Sequence, residues 1–313
     1  MGSVFEVCPP PLLFAGRSTF DVLYRLDRLP EEDTKVYARQ FCVASGGPAL
    51  NAAITHSLLG GKALLLSAVG SGPWAAQVAA EIARHSIQLL DLAAGTEYET
   101  PLTTVLASAE KASRTIVNPP LSTVTLPVLA ASWQQAVPRP WGSVPPVGLS
   151  DGFHLSEVLP LLAACRNAGA MLCLDGGSWK PGAAELAPML TAAICGERFS
   201  VPGVPETPDA VIEWFAAQGV PHIAITGGAR PILGWDRGRR FEIEVERVAV
   251  VDTLGAGDVL HGAFCHYFSQ NQEFESSLRR AAALATLACT SIGAQAWAKQ
   301  TGRQVSGASS AGS

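Results

Sequence analysis

Charge is scarce in this chain. Of 313 residues only 16% are Asp, Glu, Lys or Arg, and the net charge is −5. That balance offers no basic surface for a general nucleic-acid binder, so no nucleic-acid partner is expected. None of the seven cysteines (Cys8, Cys42, Cys165, Cys173, Cys195, Cys265 and Cys289) forms a C-x-x-C pair, and their number is odd. Several lie in apolar runs such as "MLCLDGG" and "TAAICGE", which reads as reduced core thiols and a cytoplasmic setting rather than a disulfide framework. The six histidines show no zinc spacing; His261 and His266 are five apart, wrong for one helix face. No apolar run approaches the ~20 residues of a membrane span, so no membrane partner is expected. The start "MGSVFEVCPPPLLFAG" has no basic region ahead of its apolar stretch, so no signal peptide is expected.

What is present is 48% hydrophobic residues and 30 glycines, arranged in a rhythm. "PLLFAG", "KALLLSAVG", "GFHLS", "AMLCLDGG", "LTAAICGE" and "PHIAITGG" read as buried strands. Between them, "GGPALNAAITHSLLGG", "PWAAQVAAEIARHS", "EVLPLLAACRNAG" and "PDAVIEWFAAQG" read as helices. "RPILGWDRGRRFEIEVE" reads as a meander, and two helices close the domain near 256–270 and 274–292. This alternation predicts an α/β fold with a doubly wound, mostly parallel sheet covered by helices on both faces. Two stretches do not fit that sheet. "DVLYRLDRLP" with "TKVYARQFCVA" (about 21–43) and "TPLTTVLASAEKASRTIVN" (about 102–118) alternate apolar and polar residues, as half-exposed strands do. They predict a small separate β-layer, with a ligand cleft between it and the main domain. Residues 1–303 are expected to form one such domain and 304–313 a disordered tail.

One segment carries chemistry. "VVDTLGAGDVLHGAF" (250–264) places a glycine turn at the mouth of an apolar helix, so bare backbone N–H groups and the positive helix end converge on one point. This is a pattern for holding an anion. Asp258 at its rim is either a helix cap or a base that takes a proton from an attacking hydroxyl.

The same segment resembles the C-terminal signature of the ribokinase-like (PfkB) carbohydrate kinases, and "SGGPALNAAITHSLLG" (45–60) resembles their N-terminal signature. "SRTIVN" (113–118) is similar to a lid strand of that family, and "AITGG" to a nucleotide-contacting segment. The resemblance runs from about residue 12 to 295. It implies an ATP-dependent phosphotransferase acting on a primary hydroxyl of a small sugar, with magnesium bridging the phosphates. It implies Asp258 as catalytic base, with Gly255, Ala256 and Gly257 giving N–H groups to the transferring phosphate. It implies sugar contacts from Asp21, Gly46, Gly47 and Asn51, and nucleotide contacts from Thr226, Gly228 and Thr253. Asp252 falls near a loop for potassium or another monovalent cation, with Ser291 and Gly293 across from it. Two segments depart from the pattern. "ICGERF" stands where many members carry Asn-x-x-Glu, leaving Glu197 as the candidate for organising magnesium. "AVGSGPWA" has Ser71-Gly72-Pro73 where many members place an aspartate beside the sugar. "VVDTLGAGD" and "RTIV" look most like ketohexokinase, and "DVLHGA" like sulfofructose kinase, so a ketose is the first expectation. Ribose, 2-keto-3-deoxygluconate and nucleosides stay open, as does a non-catalytic sugar or nucleotide sensor. A homodimer through the lid strands is also an expectation.

Overall fold

The apolar run that opens the domain becomes a central strand, β1 (Leu12–Ala15), buried along its whole length. Leu12 and Phe14 enter the hydrophobic layer on one face of the sheet, Leu13 and Ala15 the layer on the other. A strand covered on both faces has no polar side, hence the unbroken apolar run. The computed structural model describes residues 10–111, 113–137 and 143–302; the expected tail at 304–313 and Cys8 lie outside these.

From β1 the chain leaves for the lid as β2 (Thr19–Leu26) and β3 (Gln40–Gly46), and returns through α1 (Pro48–Leu58) to β4 (Ala63–Ser67). Then come α2 (Pro73–Arg84) and β5 (Gln88–Asp91), and two further lid strands, β6 (Leu102–Ser108) and β7 (Ser113–Val117). After a short α3 (Trp133–Ala136) the chain crosses to the other side of β1 as β8 (Val147–Ser150). It continues with α4 (Leu155–Asn167), β9 (Met171–Gly176), α5 (Ala183–Leu186), β10 (Ala192–Gly196), α6 (Pro208–Ala217) and β11 (His222–Gly227). A meander of β12 (Arg230–Asp236) and β13 (Arg239–Ile243) precedes α7 (Ala256–Asn271), α8 (Phe274–Ala288) and α9 (Trp297–Gln300).

The large sheet has the order β13-β12-β11-β10-β9-β8-β1-β4-β5. It is parallel from β11 to β5, and β12 and β13 are antiparallel. Apolar side chains of α1, α2, α7 and α8 pack on one face, with Trp297 fully buried among them, and those of α4 and α6 on the other. The lid is a four-stranded sheet, β3-β2-β6-β7, in which β2 and β6 run parallel and the outer pairs antiparallel. No helix among the described residues is long and apolar enough to cross a membrane.

Three local expectations are corrected. Residues 34–39 do not extend the lid strand: the paired register stops at Arg25–Gln40, and beyond it Arg39 N–H reaches back to Arg25 O at 2.7 Å as β2 ends at Leu26. "GFHLS" is a turn running into the start of α4, not a strand; β8 precedes it, and left-handed Gly152 (φ 81°) and His154 (φ 58°) break the extended chain. Strand β5 is a four-residue edge strand, too short to show a periodic pattern in the sequence. Cys42 also departs from the core-thiol reading, lying exposed on lid strand β3, whereas Cys165, Cys173, Cys195 and Cys265 are buried free thiols.

Candidate active site

Strands β1 and β8 are neighbours, yet the chain departs from them in opposite directions across the sheet. Such a switch point leaves a crevice beyond the carboxyl ends of the two strands, where open α/β sheets bind ligands. Here the lid covers that crevice, enclosing a cleft of about 280 Å³. Asp21, Gly46, Gly47, Asn51, Asp252, Gly255 and Asp258 all line it. A larger open hollow of about 710 Å³ lies beside His222, Asp236 and Arg279 and contains none of the expected site residues.

On the lid side, Asp21 lies on β2 and is largely buried, which raises its proton affinity; the Thr19 hydroxyl and Arg17 act in the opposite sense. Thr19 Oγ1 donates to Asp21 Oδ1 at 2.7 Å. The other carboxylate oxygen lies against β3 at Gly46, where a Cβ would stand 2.0 Å from it. Gly46, opposite Thr19 in the lid register, is thus required by the close approach of Asp21.

The second wall is where two helices meet. Helices α1 and α7 pack closely because Gly262 lies on the backbone of Ala52, where a Cβ would fall 2.3 Å from the carbonyl oxygen. That approach lets Asn51, in the first turn of α1, reach the first turn of α7. Its Nδ2 donates to Asp258 Oδ2 at 2.7 Å. Burial pushes the Asp258 carboxyl up to about 7, reinforced by the Asp175 carboxylate; Asn51, His261 and Arg114 favour its ionised form. A carboxyl near this value holds and releases a proton close to neutral pH, as a general base needs.

The start of α7 leaves backbone amides without partners among the described residues. Gly255 caps the helix in the left-handed conformation (φ 73°). The N–H of Ala256 turns to Thr253 O at 3.3 Å, so Ala256 does not present a free donor as expected. Among the described residues the amides of Gly255, Gly257 and Asp258 have no backbone acceptor, and the space beside Gly257 is open to 4 Å. Free amides at a helix N-terminus fit a phosphate group. Arg114, from lid strand β7, reaches Thr253 O at 3.2 Å and Oγ1 at 2.9 Å, placing a guanidinium over this turn.

Asp252 ties two loops together: Oδ1 accepts from Leu254 N at 2.9 Å and Oδ2 from Gly293 N at 3.0 Å. Ser291 instead receives a bond from Gln300. Glu197, Thr226 and Gly228 do not line the cleft. They cluster at the carboxyl ends of β10 and β11, where Glu197 N donates to Thr226 O at 2.8 Å and the Glu197 carboxylate pairs with Arg230. Magnesium binds chiefly through phosphates and water with one or two carboxylates, so Glu197 fits such a role only by exchanging Arg230 for the ion. No group of three or more His, Cys, Asp or Glu poised for a metal occurs among the described residues.

Sequence reasoning missed Asp151, Asp175, His261, Arg17 and Phe153. Asp151 and Asp175 follow or end β8 and β9, apolar strands whose carboxyl ends face the crevice, and that position was the available signal. Asp151 accepts from the backbone of Arg17, Ala49 and Phe153, and burial pushes it up to about 7. His261 bridges one turn below Asp258: Nε2 lies 3.0 Å from Ile194 O, and Nδ1 lies 2.7 Å from Gly257 O and 3.3 Å from Asp175. His266 meets His56 rather than His261.

Residues 13–301 match the profile of the family described as pfkB family carbohydrate kinase. A ribokinase of Lactococcus lactis subsp. lactis is 21% identical over 287 residues, which is 90% of this chain and 91% of that protein. A deoxyribokinase of Salmonella typhi is 33% identical over 78 residues, so the match spans only about a quarter of its length, 26%, and 25% of this chain. Among solved structures, ribokinase from Giardia lamblia superposes with a TM-score of 0.76 at 14% identity, covering 92% of this chain and 96% of that one. An Arabidopsis thaliana ribokinase complexed with ribose and ATP gives 0.68 at 20% identity, covering 91% and 94%. At such identities the superpositions speak for the fold.

Proposed function

The chain belongs to the pfkB family of carbohydrate kinases, and from that premise we propose that it transfers the γ-phosphoryl group of ATP to a primary hydroxyl of a small ketose. The observation that carries this reading is the Asn51–Asp258 hydrogen bond, which holds a carboxylate of raised proton affinity beside free helix-start amides and inside the cleft that Asp21 lines.

In this reading Asp21 accepts hydrogen bonds from sugar hydroxyls, and Asn51 reads a hydroxyl while orienting Asp258. Asp258 Oδ takes the proton from the primary hydroxyl as its oxygen attacks the γ-phosphorus and the bond to the β–γ bridging oxygen breaks, releasing ADP. The Gly257 and Asp258 amides and the positive end of α7 stabilise charge on the transferring group, and Arg114 adds a cation on the lid side. His261 holds Asp175 beneath the base, so the paired negative charges keep Asp258 basic. Magnesium, when bound with the nucleotide, neutralises phosphate charge; Glu197 is the carboxylate that would organise its water, and Thr226, Gly228 and Thr253 would face the nucleotide. Asp252 would sit beside a monovalent cation. Residues up to 303 act as one domain in the cytoplasm, and the exposed Tyr24 and Phe41 rings, 5.2 Å apart on the lid, support pairing of two copies through it.

The test is ADP release from ATP with a sugar panel, run beside thermal shift with nucleotide present. Turnover of fructose or another sugar with a primary hydroxyl bears the reading out. Sugars that raise the melting temperature without any ADP release make the protein a sensor instead.

A further inference from the structure

We infer that the acceptor sugar carries an anionic group, a carboxylate or a phosphate, received by Arg17 and Lys180 at the Phe153 end of the cleft. The inference rests on the kinase reading above and narrows its substrate.

Arg17 follows the carboxyl end of β1, and its backbone N–H is fixed by Asp151 Oδ2 at 2.8 Å. Its side chain is half-buried, and the guanidinium carbon lies 5.0 Å from the centre of the Phe153 ring. Lys180 is also half-buried, with Nζ 4.5 Å from the same centre. Arg17 and Phe153 line the same cleft as Asp21, Asn51 and Asp258. Two cations therefore share one aromatic ring, Arg17 within the lining of the acceptor cleft and Lys180 behind it on Phe153.

Neither cation forms an ion pair among the described residues; Lys180 Nζ bonds only to Ser178. The carboxylates around them are already engaged: Asp21, which feels the charge of Arg17, accepts from Thr19. Asp151 accepts three backbone N–H bonds, and Asp175 faces His261. Burial lowers the proton affinity of Lys180, Asp151 and Asp175 raise it in part, and the charge of Arg17 adds to the lowering. Half-buried charges without an ion-pair partner are costly, and a guanidinium held beside a ring can offer two parallel bonds to a carboxylate or phosphate. A neutral ketose has nothing to answer them. Arg114 is not part of this pair: it is anchored to Thr253 beside the anion hole, where the transferring phosphate belongs.

The experiment compares kcat/KM for fructose, gluconate, 2-keto-3-deoxygluconate, fructose 1-phosphate and fructose 6-phosphate, with calorimetric titration of each. The expected result is a preference of about 100-fold for one anionic class over fructose, with the carboxylate and phosphate arms telling which. Arg17→Met and Lys180→Met keep the aliphatic stem on Phe153, and each should collapse that ratio by 10-fold or more, ~1.4 kcal/mol. Fructose used as well as every anion, or a ratio unchanged in Arg17→Met, overturns the inference. Should no acceptor release ADP, the kinase reading fails, and calorimetry still decides this one. Binding of gluconate or a fructose phosphate that Arg17→Met weakens supports it, and absence of such binding to the unmodified protein overturns it.

Discussion

Asn51 and Asp258 stand 207 positions apart in the chain and share a hydrogen bond of 2.7 Å, Nδ2 donating to Oδ2. The bond favours the ionised carboxylate, against burial and Asp175, which favour the neutral form. A base must be ionised to work, so turnover should fall as pH drops through about 7. In Asn51→Ala the carboxylate loses its donor and its proton affinity rises. The acid limb of the kcat profile at saturating sugar should therefore move to higher pH, with activity recovering above it. An acid limb that stays in place in this variant separates Asn51 from the base.

Asp258→Asn removes the proposed base and keeps its size. Turnover should drop by roughly 10²–10⁴ while ATP affinity is retained. More than a tenth of the original turnover would leave Asp258 as a helix cap. Stability should move the other way. Asp258 has a folded-state proton affinity raised above its unfolded value of 3.8 to about 7. Its protonated form is thus favoured in the fold, full stability is present below the unfolded value, and stability is lost as pH rises toward and through about 7. The amide escapes that loss. The variant should melt about 2–4 °C or more above the parent at pH 8, a gain that fades toward pH 4.

Gly255 and Gly257 sit two residues apart and should answer alanine differently. Gly255 is left-handed at φ 73°, and an added Cβ would stand 2.6 Å from that of Ala294. Gly255→Ala should cost roughly 1–2 kcal/mol or more from conformation alone, with a lowered melting temperature. Gly257 lies within α7 at a helical angle, with nothing within 4 Å of an added methyl. The constraint there is the ligand and not the backbone, so Gly257→Ala should fold normally and lose turnover. Ordinary turnover in Gly257→Ala would move the anion hole elsewhere.

The sheet was legible in residues such as Leu12–Ala15 and Ala192–Gly196, because strands buried on both faces must be apolar throughout. The lid was legible by contrast, since β2 alternates Asp21 and Arg25 with Phe20, Val22 and Tyr24. The motif at 252–258 pointed to an anion hole through its glycines, yet which amides stay free depended on the Thr253–Ala256 turn, a tertiary detail. Arg17 and Asp151 were not legible. Each is an unremarkable residue after an apolar strand, and only the crossing of β8 beside β1 brings them into contact. Glu197 shows the converse, a carboxylate singled out by analogy whose present partner, Arg230, no local pattern announces.

Asp21 supplies the last prediction. Its carboxylate is held by Thr19 and fits only because Gly46 lacks a side chain. Asp21→Ala should raise the sugar KM or abolish sugar turnover, with nucleotide affinity almost unchanged, since a site built to receive hydroxyls loses its acceptor. Gly46→Ala tests the same carboxylate without deleting it. The new methyl would displace Asp21, so the sugar KM should rise here too, and deoxy analogues lacking the contacted hydroxyl should lose their disadvantage in both variants. Side-by-side measurement of ADP affinity and sugar kinetics reads this out. If Asp21→Ala weakens nucleotide and sugar equally, the lid itself has been disturbed and Asp21 is a structural residue. If neither changes, the sugar binds elsewhere. A rise confined to the sugar in both variants places the Asp21 carboxylate on the acceptor, because only the position of that group is common to the two changes.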